Sequence, residues 1–599
     1  GIPGVRTMSS TSREGTSSIR LEFDLAIDLE AAANDVRDKV SGAVRRLPAD
    51  ADPPVVEKAD ADSSPVVFLT VRSDTKSILD VSNVADTLIK ERVQTIPGVS
   101  TVRIFGEKRY AMRLWLDADR MAAHRVTPQD VQRALGQQNV DLPSGRIEGS
   151  STELGVRTSA RLSTPAEFNR ITVREEGERP IRFEDVGFAE LGPLNTRFGV
   201  KSRGQQMIGV AVVPQPNTNA IAIADEFYRR LELIKKDIPD DYTVEIGYDF
   251  TKYVRRSVRE VEETLVVAFF LVAFIIYAFL RDWRSTLIPV IAIPVSIVSS
   301  FVFVWLLGFS INVLTLGGIV LSIGLVCDDA IVVLENVYTK VEAGIPPLRA
   351  AIDGSKEIFF AIVSTTISLA IVFVPIIFMQ GLTGRLFREF AVVVVGSVLI
   401  SGLIALTLSP MMCRYLLRHG EPGFVYRVTE PFFQLVNRIY GWTLRGFLRV
   451  RLLAVPILLG VFALTYFLFR ALPTELAPLE DRSNIRINVR APEGASVAFT
   501  DHQLDQMDTW VNDTVPELFR TYSILGGFGG TGGVNAGVQN VYLVDGEERA
   551  RSQEEIFQQL AKGVGQFSGV RSFPAQPPTI GSRFAGQPIQ FVLKAPSSG

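Results

Sequence analysis

One stretch constrains this chain more than any other: Val313 to Asn336, VLTLGGIVLSIGLVCDDAIVVLEN. It is long and apolar enough to cross a bilayer, yet Asp328 and Asp329 lie in its second half. A carboxylate near a bilayer centre costs about 2.5–3.5 kcal/mol on insertion scales, and there are two. The thirteen Val, Leu and Ile residues between Val313 and Leu334 return about 0.3–0.6 kcal/mol each. Cost and return nearly cancel, so the helix must be enclosed by others that shelter the acids. Neighbouring helical residues point about 100° apart, and the two acids titrate as a coupled pair. Paired ionisable groups inside a membrane are what a proton pathway needs. The other reading, a structural pair held by hydrogen bonds inside a bundle, is a poor use of two charges.

With 599 residues, the length suggests about four domains. A mean hydropathy of +0.21 with 21% charged residues is too apolar for a soluble protein and too charged for one wholly embedded in lipid. The net charge of −3 gives no argument for a nucleic-acid partner. Cys327 and Cys413 both lie in apolar spans, which excludes a disulfide framework. His124, His419 and His502 make no metal-ligand spacing. The chain opens at Gly1 with no signal peptide. It ends in Ser-Ser-Gly just after a strand-like run, Ile589–Leu593, and so reads as a fragment cut inside folded units.

Before the first apolar stretch, strand–helix–strand units recur. Ser18–Phe23 alternates like a strand and precedes a helix over Leu29–Leu47. Val66–Val71, Ile78–Thr95 and Ser100–Phe105 form a second unit, and Met207–Val213, Ala220–Lys236 and Thr243–Gly247 a third. Such units stack their helices on one face of a sheet, an α+β sandwich of the split βαβ kind. Tyr110–Thr196 reads as an insertion with its own strand, Ala111–Leu116, and helix, Pro128–Gln137. No catalytic constellation appears in this region.

Five further apolar segments join the acid-bearing one: Thr264–Leu280, Leu287–Phe309, Ile358–Met379, Phe390–Met412 and Leu452–Phe469. Each has the length of a spanning helix. An even number of spans puts the soluble regions before and after on one side. One set of loops holds twelve Lys or Arg residues, from Arg281 to Arg451, and the alternate set only Arg385 and Arg388. The positive-inside rule places the first set in the cytoplasm and the soluble regions outside it. Glu430–Arg449 sets Gln434, Arg438, Gly441, Arg445 and Arg449 against Phe432, Leu435, Ile439, Trp442 and Phe447, the pattern of a helix lying in the membrane interface. Ser364, Thr365, Thr366, Ser368, Ser397, Ser401 and Thr407 either bond across helices as packing glue or wire a proton path.

After the last span, Asn484–Val489, Phe499–Val515 and Tyr522–Leu525 repeat the strand–helix–strand order, as in a protein built of two similar halves. The glycine-rich run Gly526–Gly537 lacks the Lys-Ser/Thr of a phosphate loop and reads as a mobile loop carrying Phe528.

GLVCDDAIVVLEN, FLRDWRSTLIPVIAIPVSI, FVPIIFMQGLTGRLFREFAVVV and LTLSPMMC, with GVSTVRIFGEKRYAMRLWLD and QQNVDLPSGRI in the soluble part, resemble the resistance-nodulation-division (RND) superfamily. The likeness is to its hydrophobe/amphiphile efflux branch and extends over almost the whole chain. The resemblance implies a helical transmembrane bundle, six spans of it present here, joined to α+β periplasmic porter subdomains of repeated βαβ units. Residues 1–64 then correspond to a first porter subdomain, 65–108 with 197–250 to a second, and 109–196 to a docking insertion. Residues 251–429 hold five spans (264–280, 287–309, 313–336, 358–379 and 390–412), 430–449 an interfacial helix and 452–470 the sixth span. Residues 471–599 begin the porter region of a second half.

The resemblance also implies a proton/drug antiporter of the inner membrane, driven by the proton gradient without a cofactor. It would be a homotrimer working with a periplasmic adaptor protein and an outer-membrane channel to export small amphiphilic molecules. Asp328 and Asp329 match the family's proton-binding pair, Phe105 an aromatic of the deep drug pocket, and the loop around Phe528 the divider between proximal and distal pockets. Cys327 stands where the family usually has an aliphatic residue, and the family's lysine partner for the acids lies on a later helix absent from this chain. Rival readings are an RND exporter of lipid, metal ion or protein-export type, and an intramembrane aspartyl protease. The protease needs carboxylates facing each other from two helices, and a soft-metal path needs more than the eight methionines present.

Overall fold

The computed structural model describes residues 2–13, 16–24, 27–48, 51–58, 65–140, 143–157, 161–176, 179–216, 218–417, 424–472, 479–526 and 533–578. The Ile589–Leu593 run lies outside them. The chain divides into two compact units, one of residues 1–58 with 252–475 and one of 59–251 with 476–599.

In the first unit, β1 (Val5–Arg13) and β2 (Thr16–Phe23) form an antiparallel hairpin. α1 (Leu29–Ala43) follows, started by Asp28, whose carboxylate accepts from the Ala31 amide and satisfies one of the four open N–H groups.

The second unit begins with β3 (Val67–Arg72), α2 (Ile78–Val84, continued by a π-helical stretch Ala85–Lys90 and by Glu91–Val93) and β4 (Val99–Phe105). An excursion follows, containing β5 (Tyr110–Leu116), α3 (Pro128–Gln138) and β6 (Gly187–Pro193), with β5 and β6 paired antiparallel. It has its own core around Phe168, Phe183 and Val186. A hairpin of β7 (Gly199–Ser202) and β8 (Gln205–Pro214), then α4 (Ala220–Asp237) and β9 (Thr243–Asp249), complete this portion. β8 lies between β3 and β4, and β3 between β8 and β9. Each helix therefore crosses over a strand that belongs to the other strand–helix–strand segment, the split βαβ arrangement. Val, Ile and Leu on one face of these strands bury against α2 and α4, as the period-2 alternation of a half-covered sheet requires.

Seven helices come next: α5 (Phe250–Leu280), α6 (Trp283–Leu306), α7 (Val313–Glu342), α8 (Pro347–Ile377), α9 (Gly381–Leu416), α10 (Phe424–Arg449) and α11 (Ala454–Ala471). All but α10 are long and apolar enough to cross a membrane, with mean hydropathy 2.1–2.5 over their most apolar 18 residues. Each overlaps one of the six spans read from the sequence, with shifted ends: α5 starts at Phe250 rather than Thr264, while α6 and α8 stop at Leu306 and Ile377, short of the expected Phe309 and Met379, and α11 starts at Ala454 rather than Leu452. The added N-terminal stretch, about four turns long, carries Lys252, Arg255, Arg256 and Glu260, which break the hydropathy signal without opposing helix formation. α6, α8 and α9 keep Pro289, Pro294, Pro375 and Pro410 inside them. No residue of α11 is buried.

The chain then adds β10 (Asn484–Arg490), α12 (Val497–Thr514), β11 (Leu518–Leu525), β12 (Ala536–Leu543), α13 (Gln553–Gly563) and β13 (Arg571–Ala575) to the second unit. The strand order β13-β10-β12-β11 reproduces β9-β3-β8-β4: fourth, first, third and second strands of each copy. β7 joins the copies into one sheet, pairing with β8 on one edge and β11 on the other.

Candidate functional site

α7 owes its start to Asn312, whose side chain accepts from the Leu314 and Thr315 amides (3.0 Å each) while Thr315 Oγ1 accepts from the Asn312 amide at 2.8 Å. One face of the helix, through Leu316, Ile319, Ile323, Val326, Ala330 and Val333, is buried by the neighbouring helices. Asp329 lies on that face, with 5% of its surface exposed. Asp328, about 100° further round, lies on the exposed face with Leu321, Gly324, Val332 and Glu335. The sequence expectation that the bundle shelters both acids is therefore met for Asp329 and not for Asp328 among the described residues. The buried arc of α7 is wide enough for adjacent pairs such as Val326 with Cys327 and Asp329 with Ala330, and Asp328 falls just outside it.

Thr366 of α8 donates its hydroxyl to Asp329 Oδ2 at 3.4 Å. One turn away, Ser401 of α9 donates to the Val326 carbonyl at 2.9 Å. Gly402 gives the threonine its room, since a Cβ there would lie 2.7 Å from Thr366 Oγ1. Other hydroxyls of the spans turn back on their own helices: Ser296 to Ala292, Ser322 to Gly318, Ser397 to Val393, Thr365 to Ile362 and Thr407 to Leu403. Ser364 and Ser368 are exposed. Of the polar side chains noted in α8 and α9, Thr366 and Ser401 thus bond to the acid-bearing helix. Composition alone could not single them out; the small residue beside Thr366 is the signal that could. Among the described residues no Lys or Arg comes within ion-pair distance of either acid, and no group of three His, Cys, Asp or Glu side chains could hold a metal.

In the second unit, Phe105 closes β4 on the face away from α2 and α4 and joins Phe68, Val200, Met207, Tyr522, Ile524 and Tyr542 in one cluster. Phe68 meets Phe105 at 6.1 Å between ring centroids and Tyr522 edge-on at 5.4 Å. Tyr248 stacks on Tyr542 at 4.5 Å. Gly209 and Gly247 clear the space: a Cβ on either would lie within 2.8 Å of the Phe68 ring. Alternation was the available clue to these missed aromatics, because Phe68 falls between core residues Val67 and Leu69 and must point to the opposite face. Phe528 lies outside the described residues. The loop it belongs to departs from Gly526, at φ 83°, where a Cβ would run into the Phe198 ring.

Six apolar helices with a divided carboxyl pair in one of them, linked in sequence to twin α+β folds, define a polytopic membrane protein of the transporter class. A family model described as the AcrB/AcrD/AcrF family matches residues 1–595, and the chain belongs to that family of RND multidrug efflux transporters. It is 32% identical over 601 residues to multidrug resistance protein MdtC of Photorhabdus laumondii subsp. laumondii, a match covering 99% of this chain and 57% of that protein. The chain thus spans little more than half the length of the curated relative.

Proposed function

We propose that the protein to which this chain belongs is a proton-driven antiporter that exports hydrophobic or amphiphilic small molecules from the inner membrane and periplasm. The observation that carries this reading is the division of one carboxyl pair between two environments. Asp329 is enclosed and hydrogen-bonded by Thr366, while Asp328 faces outward from the same turn. Asp329 is held where a change of protonation is felt by three helices, and Asp328 is open to a basic partner and to a proton supply. A proton crossing 100 mV releases about 2.3 kcal/mol, equivalent to a roughly fiftyfold solute gradient. No cofactor enters this scheme.

The charge bias of the loops supports an orientation with the soluble regions in the periplasm. In that orientation residues 65–108 with 197–250, and 471–599, serve as porter subdomains, 1–64 as part of another, and 109–196 as the docking insertion. The cluster around Phe105 offers aromatic surface of the kind that binds small amphiphiles, and Phe528 is a second candidate by its match to the family. Glu430–Arg449 lies in the membrane interface, its apolar and basic faces both exposed in the chain. Family membership supports a homotrimer acting with a periplasmic adaptor and an outer-membrane channel. The second reading is an RND exporter of lipid, metal ion or protein-export type.

Efflux of a fluorescent amphiphile from cells making the full-length protein tests the assignment. Asp328→Asn and Asp329→Asn should each abolish efflux at unchanged protein level, and retained efflux in either would overturn it. Competition among amphiphiles, lipids and metal salts in the same assay separates the two readings.

A further inference from the structure

Between α8 and α9 lies an open groove of about 560 Å³, lined by Ser355, Lys356 and Phe359 of α8 and by Leu403, Leu406 and Thr407 of α9. The volume is in the range of small-ligand sites. Spacings of i and i+4 on one helix, and of i, i+3 and i+4 on the other, put Ser355 with Phe359 and Leu403 with Leu406 and Thr407, and Lys356 borders the same groove from the next position. Lys356 stands two residues before Ile358, where the apolar run of α8 begins, so its ammonium is at the depth of lipid headgroups while Phe359 and Leu403 lie at the depth of the chains.

Two polar groups of this groove have no hydrogen-bond or ion-pair partner among the described residues. Ser355 Oγ is shut away from solvent and makes no hydrogen bond. A buried hydroxyl left in that state costs about as much as a lost hydrogen bond. The Lys356 side chain is exposed, and no described acid is within ion-pair distance of it; Glu357, the next residue, is taken by Lys340 at 3.0 Å and Asn336 at 3.3 Å. The third polar group, Thr407, is already spent on the Leu403 carbonyl at 2.6 Å. Lys356 thus offers an uncompensated cation above an apolar trough whose Phe359 and Leu403 side chains are exposed.

We propose that this groove is a binding site for one anionic phospholipid, with a phosphodiester oxygen accepting from Lys356 and an acyl chain lying along Phe359, Leu403 and Leu406. A soluble anion would satisfy the ammonium and leave the trough bare, and a neutral hydrocarbon would do the reverse. A lipid of net negative charge satisfies both, and cationic pockets between membrane helices recognise such headgroups. The site requires only that α8 and α9 span a bilayer and is independent of proton coupling.

The test is lipid titration of the full-length protein, delipidated in detergent and followed by native mass spectrometry. Phosphatidylglycerol is compared with phosphatidylcholine of the same chains. Wild type should hold one phosphatidylglycerol per chain more tightly than any phosphatidylcholine. Lys356→Gln should weaken that lipid about fivefold, Leu403→Trp should displace it by filling the trough, and Arg438→Gln, a charge removed from α10, should leave it unchanged. Lys356→Gln alters an exposed side chain, so a folding failure of the tryptophan variant still leaves a decisive measurement. Equal retention of the two lipids by wild type, or wild-type binding by Lys356→Gln, would overturn the proposal.

Discussion

Thr366 and Asp329 meet across two helices: the threonine hydroxyl reaches the carboxyl oxygen at 3.4 Å, and the absence of a side chain at Gly402 lets it do so. A hydrogen bond of this kind is worth about 0.5–1.5 kcal/mol net. Thr366→Val keeps the shape and removes the donor, so it should cost proton-driven efflux roughly two- to tenfold and move its pH profile. Thr366→Ser should retain most activity. Gly402→Ala reaches the same point from the opposite helix, because its methyl would lie 2.7 Å from Thr366 Oγ1 and turn the hydroxyl away. Efflux rates of the full-length variants against external pH check all three; a pH profile unchanged in Thr366→Val would remove the threonine from the proton site.

Lys201 holds the β7–β8 hairpin to α12 through Asp501 at 2.6 Å and Asp505 at 3.1 Å, and the next turn adds the Arg203 amide on Asp508 at 2.7 Å. Burial works to lower the lysine pKa, and the two aspartates outweigh it, leaving the value above the ordinary one. The lysine's stabilising share is therefore fully present below its ordinary value of 10.5 and is lost as pH rises through the higher folded value. Lys201→Met leaves two acids facing each other without a counter-charge and should destabilise the soluble unit by about 1–3 kcal/mol. Adding Asp501→Asn and Asp505→Asn to that variant should recover part of the loss, read as thermal melting.

The acid-bearing helix was legible because hydropathy and two charges in one window leave few alternatives. Which acid is enclosed was not, since a helix apolar on every side has no contrasting stripe to orient it. Helix ends such as Phe250–Glu263 were missed for a related reason: hydropathy reports lipid burial, while helix formation continues through Lys, Arg and Glu. The segments β3, α2, β4 and β8, α4, β9 stood out by periodicity. Their interlocking order did not, because β8 reaches its place between β3 and β4 through pairing across some hundred residues, and local pattern carries no information on that partner choice.

Phe105 packs on Phe68 from the neighbouring strands' shared face. Being half-buried, it should cost less on truncation than the 3–5 kcal/mol of a fully buried ring; Phe105→Ala should lose about 1–2 kcal/mol of stability. If the cluster is substrate surface, the same variant changes the ranking of exported amphiphiles by more than their common fall in rate. Gly247→Ala, whose methyl would lie 2.7 Å from the Tyr522 hydroxyl, should change the ranking in the same direction without removing any aromatic.

Tyr110 donates to Asp80 at 2.7 Å. The bond lifts the phenol to about 12 and, with Ser77, lowers the Asp80 carboxyl below its usual value. Both shifts stabilise the fold between the two ranges. The aspartate's share is present above its unfolded pKa and fades as pH falls through the lower folded value; the tyrosine's is present below 10.0 and fades as pH rises toward about 12. Tyr110→Phe should narrow the pH range of constant melting temperature at both ends, the measurement being a melting series from acid to alkaline pH.

Arg281 ends α5 in the left-handed region, φ 57°, where a residue other than glycine is strained. Its side chain offsets that strain with a 2.7 Å bond to Glu430 and a guanidinium 4.5 Å above the Phe433 ring, both on α10. Backbone and side chain therefore pull in opposite directions, and two substitutions separate them. Arg281→Gly relieves the strain and loses the clip, whereas Arg281→Ala keeps the strain and loses the clip. Both should raise hydrogen exchange along α10 to the same extent, while the alanine variant should melt lower by about 0.5–1 kcal/mol, the ordinary difference between the two residues at a left-handed position. Equal melting of the two variants would mean that the strain at residue 281 relaxes once the arginine is gone, and unchanged exchange in α10 would mean that its position owes nothing to this contact.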